Sequence, residues 1–458
     1  MARYLAPVAL LPGGWAENVV FEVDSEGSLQ SVTEGLATVA GSVDARLPGA
    51  VVPGVVNGHS HAFQRALAGG AETRTAAGDS FWTWRDQMYR LLGSISPEAV
   101  EAVAAQLYVE LLRQGYTRVV EFHYLHNDPT GAPYGDPTEM ARRIVRAAER
   151  AGIGLTLVPV LYRTSDFGGV PPTEGQRRFV LEVDSFLQLV EAVQDWSSSL
   201  VSPGFAFHSL RAVTPREMEA VLESVAREGL PCHIHVAEQP REVEACRNWY
   251  GMRPVEWLLD QLPVGPDWHL IHCTHMVERE IQGLARSGAT AVVCPTTEAN
   301  LGDGIFPLQR FQSLGGSLAV GSDSHVSTSP VEELRWLEYA QRLVQGSRAV
   351  AADQDTPSVA RALLTWVWEG GARSAGIDAG RLAPGQRADF VVLDRSHPVL
   401  TGRSGDGLLD AWIFSGNDTP VREVWVAGRR VVVDGRHPEG GSVASSFRAV
   451  MRRLLAPA

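Results

Sequence analysis

The hydrophobic pattern changes texture twice along the 458 residues. Up to about residue 50, apolar and small polar positions alternate among frequent glycines (NVVFEVDSEGSLQSV, GSVDARLPGAVV), which predicts short antiparallel strands. Beyond that point, continuous apolar runs alternate with helix-length amphipathic stretches. The first run is VVPGVVNGHS from Val51, and others follow at 117–124, 153–162, 204–210, 231–238, 268–275, 289–296 and 316–324. Strands covered by helices on both faces lose the in–out alternation of an exposed sheet. Eight such runs separated by helices therefore predict an α/β fold, a (β/α)8 TIM-type barrel over 52–375. After it, GRLAPGQRADFVVLD and VREVWVAGRRVVVDGRH return to short strands with tight turns. Neither chain end has enough strands to close a core alone. Residues 1–51 and 376–458 are thus expected to pair into one small, discontinuous β-sandwich domain.

Local signals punctuate the helices. Ser96 followed by Pro97 opens one that ends near Gly115, and Gly152 closes another over about 138–150. A longer periodic stretch covers about 176–195, and Thr214 with Glu217 around Pro215 starts a helix running to Gly229.

Polar residues fall at the carboxyl ends of the apolar runs, the barrel face that carries active sites. His59 and His61 end the first, His123 and Tyr124 the second, His208 the fourth, His235 with Glu238 the fifth, His272 the sixth and Asp323 the eighth. Alternate residues of an extended chain point the same way, so His59 and His61 can share a cation. Adding His235 and Asp323 gives three imidazoles and a carboxylate, an open site for one catalytic divalent ion per chain, zinc by preference. Such an ion brings the pKa of a water it binds from about 15.7 to about 7. Glu238, three residues past a ligand, is placed to shuttle a proton to a leaving nitrogen, and His272 to polarise the electrophile or hold the attacking water. His233, His269, His275 and His325 are read as core or supporting residues.

Composition narrows the chemistry. The net charge of -13 argues against a nucleic-acid or anionic-membrane surface, so an anionic ligand would need local arginines. All 40 basic residues are arginine, which excludes a P-loop lysine, a Schiff-base lysine and a carbamylated lysine bridging two metals. Cys232, Cys246, Cys273 and Cys294 lack CxxC spacing and read as reduced core residues. With no basic leader and no membrane-length apolar run, the cytoplasm is the expected location.

PGVVNGHSHAFQRALAG, HCTHM, GSDSHVS and GRLAPGQRADFVVLD resemble the amidohydrolase superfamily, in its deaminase-like branch with one metal, across essentially the whole chain. More narrowly, SFWTWRDQMY, EFHYLHN, HSLRAV, HIHVAEQ and CPTTEANLGDGIFP resemble the formimidoylglutamate deiminase family. The resemblance implies conversion of N-formimidoyl-L-glutamate to N-formyl-L-glutamate and ammonia in histidine degradation, by a homodimer. It implies zinc or a similar ion on His59, His61, His235 and Asp323, and catalytic roles for Glu238, His272 and Asp323. It also implies substrate contacts from Gln64, Arg85, Tyr124, His208 and Arg211, of which Arg85 is read from the chain itself as lying in a long loop. A deaminase of aromatic bases on the same scaffold would call for stacking and amide readout rather than two arginines. A catalytically dead barrel would be expected to have lost ligands, and a two-metal hydrolase is disfavoured by the missing lysine.

Overall fold

Residues buried on both faces build the inner wall of the structure, a computed structural model that describes residues 1–35, 42–73, 81–225 and 228–456. Parts of three sequence features lie outside the described residues: 36–41 in the amino-terminal strand region, Ser80 of SFWTWRDQMY, and 226–227 before Gly229. The eight expected runs form eight parallel strands in sequence order. They are β1 (Val55–Ser60), β2 (Tyr116–His123), β3 (Gly154–Leu161), β4 (Phe205–Ser209), β5 (Cys232–Val236), β6 (Trp268–His272), β7 (Thr290–Val293) and β8 (Ser317–Val320). Every residue of β2 and β3 is buried, which explains the nearly continuous apolar sequence of β3, while β2 buries Arg118 and Glu121 among its apolar residues.

The seam between β8 and β1 is closed just beyond β8. Asp323 N–H donates to His59 O at 3.0 Å and His61 N–H donates to Asp323 O at 3.2 Å. Helix Val359–Ser374 covers this seam, and its two consecutive glycines let it approach closely. A Cβ at Gly370 would collide with the Leu318 carbonyl oxygen, and one at Gly371 would lie 2.9 Å from Val56 Cβ. Helix Pro97–Gln114 shows the expected ends: the Ser96 hydroxyl accepts from Ala99 N–H at 3.2 Å, Pro97 is the first helical residue, and Gly115 stops the helix at φ 104°.

Strands from both chain ends form a second sheet of eight strands, one of them a side branch, in a single hydrogen-bonded path. Its middle pairs Ala50–Pro53 with Phe390–Leu393 on one side and Ala2–Leu11 on the other. The sheet curls on itself, since Leu29 N–H donates to Gln386 O and Ala388 N–H donates to Gly27 O, both at 2.8 Å. Phe21, Phe390 and Trp425 fill the space inside, with Phe390 stacked on both rings at 5.8 and 5.4 Å.

Four details depart from the sequence pattern. The apolar run from Val51 is two strands, because the chain leaves the small sheet after Pro53 and enters the barrel at Val55. The periodic stretch 176–195 is α-helical only over Val183–Asp195. Its first part is a loop anchored by Arg178, whose guanidinium donates to the carbonyls of Asn127 (2.9 Å) and Ile95 (3.1 Å). Arg85 belongs to helix Phe81–Leu92 and not to a long loop. Helices Asp406–Phe414 and Gly440–Leu454 follow the barrel and pack on Val359–Ser374 and Pro97–Gln114.

The seam generates a stability prediction. Gly370→Ala adds a methyl group against a main-chain oxygen that cannot rotate away, so the helix must lift from β8. Overpacking of this kind costs about 1–3 kcal/mol, beyond the gain of about 1 kcal/mol that alanine brings to a helix. Urea titration should therefore show a lower midpoint for Gly370→Ala, and an unchanged or higher midpoint would remove the close packing assigned to this helix.

Candidate active site

Three imidazoles and one carboxylate meet at the carboxyl mouth of the barrel. His59 Nε2 lies 3.1 Å from His61 Nε2 and 3.0 Å from His235 Nε2, while Asp323 Oδ1 lies 3.4 and 3.3 Å from the first two. The far nitrogens explain the orientation of two rings. His61 Nδ1 faces Phe122 O and His235 Nδ1 faces His208 O, each at 3.0 Å. A carbonyl only accepts, so these Nδ1 atoms carry the protons and Nε2 presents a lone pair inward. Burial holds the His59, His61 and His235 imidazoles below their usual range, as neutral ligands require. Lone pairs converging at this spacing repel one another unless a cation lies between them. Four ligands at about 2.0–2.2 Å from an ion stand roughly 3.3 Å apart in a tetrahedral site, close to the separations seen. The donor set thus fits a divalent metal ion, with His59, His61 and His235 as its core.

A second layer of buried polar groups supports the ligands. Glu121 accepts from the Ser60 hydroxyl (2.6 Å), Ala62 N–H (2.7 Å) and the Tyr108 hydroxyl (3.2 Å), pinning the turn that follows the first two histidines. His325 bridges Ser60 Oγ (3.1 Å) and Ser322 Oγ (2.8 Å), and Asn57 Nδ2 donates to the latter at 2.6 Å. His233 reaches Ser374 O at 3.0 Å with His269 packed beside it, and His275 reaches Asp303 O at 2.8 Å. None of these four histidines joins the converging group.

Beside the ligands, His272 Nε2 lies 3.8 Å from Glu238 Oε1. Glu238 is buried on the loop after β5, and Glu242 fixes that loop by accepting from the N–H groups of Ala237 and Glu238 at 3.1 Å each. Burial first, then Asp323 and Glu242, push the Glu238 carboxyl up to about 7 against the opposing pull of His272. Burial acts to lower the His272 imidazole, but Glu238, Glu298 and Asp323 outweigh it and hold the ring up to about 10. Ala237, His272, Cys273 and Asp323 all adopt positive φ (54°, 70°, 53° and 48°), a concentration of backbone strain at one mouth.

Gln64, Arg85, Tyr124, His208 and Arg211 line one pocket with His61, His235, Glu238, His272 and Asp323. Gln64 Nε2 donates to the Tyr124 hydroxyl at 3.0 Å. Tyr162 and Phe179 complete the wall against His208 and Tyr124, with ring centroids 4.6 and 4.8 Å apart. The Arg211 guanidinium makes no hydrogen bond or ion pair to another described residue, and its Nε is buried without a partner. Glu242, Tyr162 and Glu238 raise its pKa against the effect of burial. His123, at the end of β2, turns away from the pocket and packs on His126.

The structure therefore brings His61, His235, Asp323, Glu238, His272 and the five expected substrate contacts to one pocket, sets His59 against His61 and His235 beside it, and leaves His123 out. Sequence reasoning missed Glu298, Glu242, Glu121 and Asp303. Glu298 and Asp303 lie inside the quoted stretch CPTTEANLGDGIFP, which was the available signal. Asp303 accepts from Gln239 Nε2, and burial with Glu238 nearby pushes its carboxyl up to about 9.

A barrel with its ligands at the carboxyl mouth and a curled sheet from both chain ends defines a class, and the amidohydrolase family model matches residues 50–431. The chain belongs to the amidohydrolase family. Within it, the formimidoylglutamate deiminase of Pseudomonas aeruginosa is 50% identical over 456 residues, covering 99% of this chain and all of that one. The crystal structure of an amidohydrolase from Brucella melitensis superposes with a TM-score of 0.93 at 45% identity, over the full length of both chains. Atrazine chlorohydrolase of Arthrobacter aurescens complexed with zinc, 19% identical, shares the fold at a TM-score of 0.84 over 98% of this chain and all of that one.

The convergent lone pairs predict that the fold is stabilised by metal. At free zinc 100 times the dissociation constant, binding to the native state alone adds about 2.7 kcal/mol, so chelation should lower the melting temperature and zinc should restore it. His61→Ala should abolish that response. A wild-type melting temperature indifferent to chelator and zinc would remove the metal reading.

Proposed function

We propose that this chain hydrolyses N-formimidoyl-L-glutamate to N-formyl-L-glutamate and ammonia, with one zinc ion held by His59, His61, His235 and Asp323. The observation that carries the reading is the pairing of this ligand set with a pocket in which the Arg211 guanidinium has no protein counter-ion within hydrogen-bonding range among the described residues. The 50% identical deiminase, aligned over its whole length, supports the same substrate. When bound, the ion supplies Lewis-acid activation of water.

The chain's own residues do the rest. Asp323 turns Oδ1 toward His59 and His61, and it takes the proton released by the attacking water on Oδ2. Glu238 delivers a proton to the imino nitrogen as ammonia departs, a role suited to a carboxyl held near neutrality. His272 polarises the formimidoyl carbon from the side of Glu238. Arg85 and Arg211 hold the two carboxylates of the substrate, with Gln64, Tyr124 and His208 completing its surroundings. Planar guanidinium forks grip carboxylates through two parallel hydrogen bonds, which fixes the distance of the reacting carbon from the ligand set.

The reading includes a homodimer and cytoplasmic residence. Trp336, Tyr339, Leu343 and Val344 stand exposed on helix Pro330–Gln345 and offer apolar surface to a second copy, which light scattering tests. Four free, buried cysteines suit a reducing compartment.

Ammonia release from the zinc-loaded protein, followed across N-formimidoyl amino acids and aromatic bases, tests the substrate. Turnover confined to aromatic bases would overturn the proposal. Glu238→Gln keeps shape and removes basicity, so kcat should fall by about 10²–10⁴-fold with KM little changed. Near-normal turnover would leave Glu238 without a catalytic role.

Arg211→Met removes a charge-assisted contact of about 1.5–3 kcal/mol and should lower kcat/KM roughly 10- to 150-fold on formimidoyl-glutamate. The loss should be smaller on formimidoyl-glycine, which lacks the side-chain carboxylate. Equal losses on both substrates would mean that Arg211 does not read that carboxylate.

A further inference from the structure

His272 is gripped from behind as well as facing the site. Its Nδ1 lies 3.3 Å from Glu298 Oε1, so the ring spans two carboxylates, Glu298 on one side and Glu238 on the other. Glu298 sits in the first turn of helix Pro295–Leu301, just after β7, and is 4% exposed. The same Oε1 accepts from Cys294 N–H at 2.9 Å, which ties the carboxylate to the start of its own helix. Its reach toward His272 is therefore set by main chain and not by a free side chain.

The ring needs such a hold. His272 and Cys273 leave the strand at positive φ, so the pleat of β6 no longer dictates where the imidazole points. Stacking on His235, at 5.6 Å between centroids and 14° between planes, defines the plane of the ring. Stacking does not distinguish one edge of an imidazole from the other. A rotation of 180° about χ2 keeps the stack and swaps the nitrogens for carbons. A directional partner at one nitrogen selects the orientation, and Glu298, within hydrogen-bonding distance where Glu238 stands 3.8 Å off, is that partner. Because a carboxylate accepts and does not donate, the Nδ1 beside it must carry a proton.

Resting on the substrate assignment made above, we propose that Glu298 is a positioning residue for the hydrolysis. Its carboxylate holds the Nδ1–H edge of His272, so that Nε2 is the atom presented to Glu238 and the reacting carbon, and its negative charge strengthens that hold. The role is distinct from capping, because the bond to Cys294 N–H needs an acceptor but no charge.

Glu298→Gln separates the two. The glutamine oxygen caps the helix as the carboxylate does, so melting temperature and zinc content should match wild type. Losing the charge-assisted bond should nevertheless lower kcat on N-formimidoyl-L-glutamate about tenfold or more, with KM within about twofold. Glu298→Ala, which also loses the acceptor, should lower kcat further, and if it fails to fold the glutamine variant decides alone. Wild-type kcat in Glu298→Gln would overturn the proposal and leave Glu298 as a helix cap.

A second readout needs no substrate. The ¹⁵N spectrum of the zinc-loaded protein, with His272 assigned by its loss in His272→Gln, should show a protonated Nδ1 in wild type. An unprotonated Nδ1 there would overturn the proposal as well. If the wild-type protein does not turn over N-formimidoyl-L-glutamate, the substrate assignment fails while the spectrum still decides the position of the proton.

Discussion

The barrel closes through the residues that make its site. Between β8 and β1 the bonds that join the wall are those of Asp323 with His59 and His61, the same residues whose side chains converge a few ångströms away. Main-chain closure and ligand geometry are thus one constraint. A shift of β8 by one residue would put the neighbour of Asp323 against the histidines and open the wall at once. The helix that seals this seam has two glycines at its crossing, so side chains there could not be larger without prising the ligands apart.

Behind that seam a chain of hydrogen bonds runs from Asn57 through Ser322, His325 and Ser60 to Glu121. Each link fixes the direction of the next. Ser60 spends its proton on Glu121, so it accepts from His325 Nε2–H, and His325 Nδ1 then accepts from Ser322. This arrangement requires a neutral His325, in keeping with burial pushing its imidazole down to about 3. A fully satisfied buried network is rigid, and rigidity here is transmitted directly to the loop carrying His61.

Much of this was legible in the sequence because of how parallel strands are buried. A strand covered on both faces reads as an unbroken apolar run, so all eight were countable, and a polar residue at the end of such a run stands out. That contrast picked out His59, His61, His235, His272 and Asp323. It could not pick out Glu298, Glu242 or Glu121. Glu298 and Glu242 each lie in the first turn of a helix, where a glutamate is ordinary, and Glu121 sits within a strand. Their importance comes from contacts with residues up to 61 positions away, which periodicity does not encode. Residues 177–182 failed for the opposite reason: their spacing is compatible with a helix, but Arg178 takes several distant carbonyls as partners and holds the segment open. Arg85 lies in FWTWRDQMYRLL, which forms a helix where a long loop is expected.

The charge pattern ties the pocket to its environment. Glu238, Glu298, Asp303 and Asp323 are buried together near His272, an excess of negative charge that no folded core tolerates without compensation. Three kinds of compensation are present: carboxyls pushed up toward neutrality at Glu238 and Asp303, a His272 imidazole whose pKa those carboxylates raise, and the convergent lone pairs that call for a metal ion. Arg211 lines the same pocket, with its cation favoured by Glu242, Tyr162 and Glu238. The result is a cavity that sets a guanidinium and an imidazole among proton-handling carboxyls. That guanidinium gives an anionic ligand a local attraction, even in a chain whose net charge of -13 repels anions at long range.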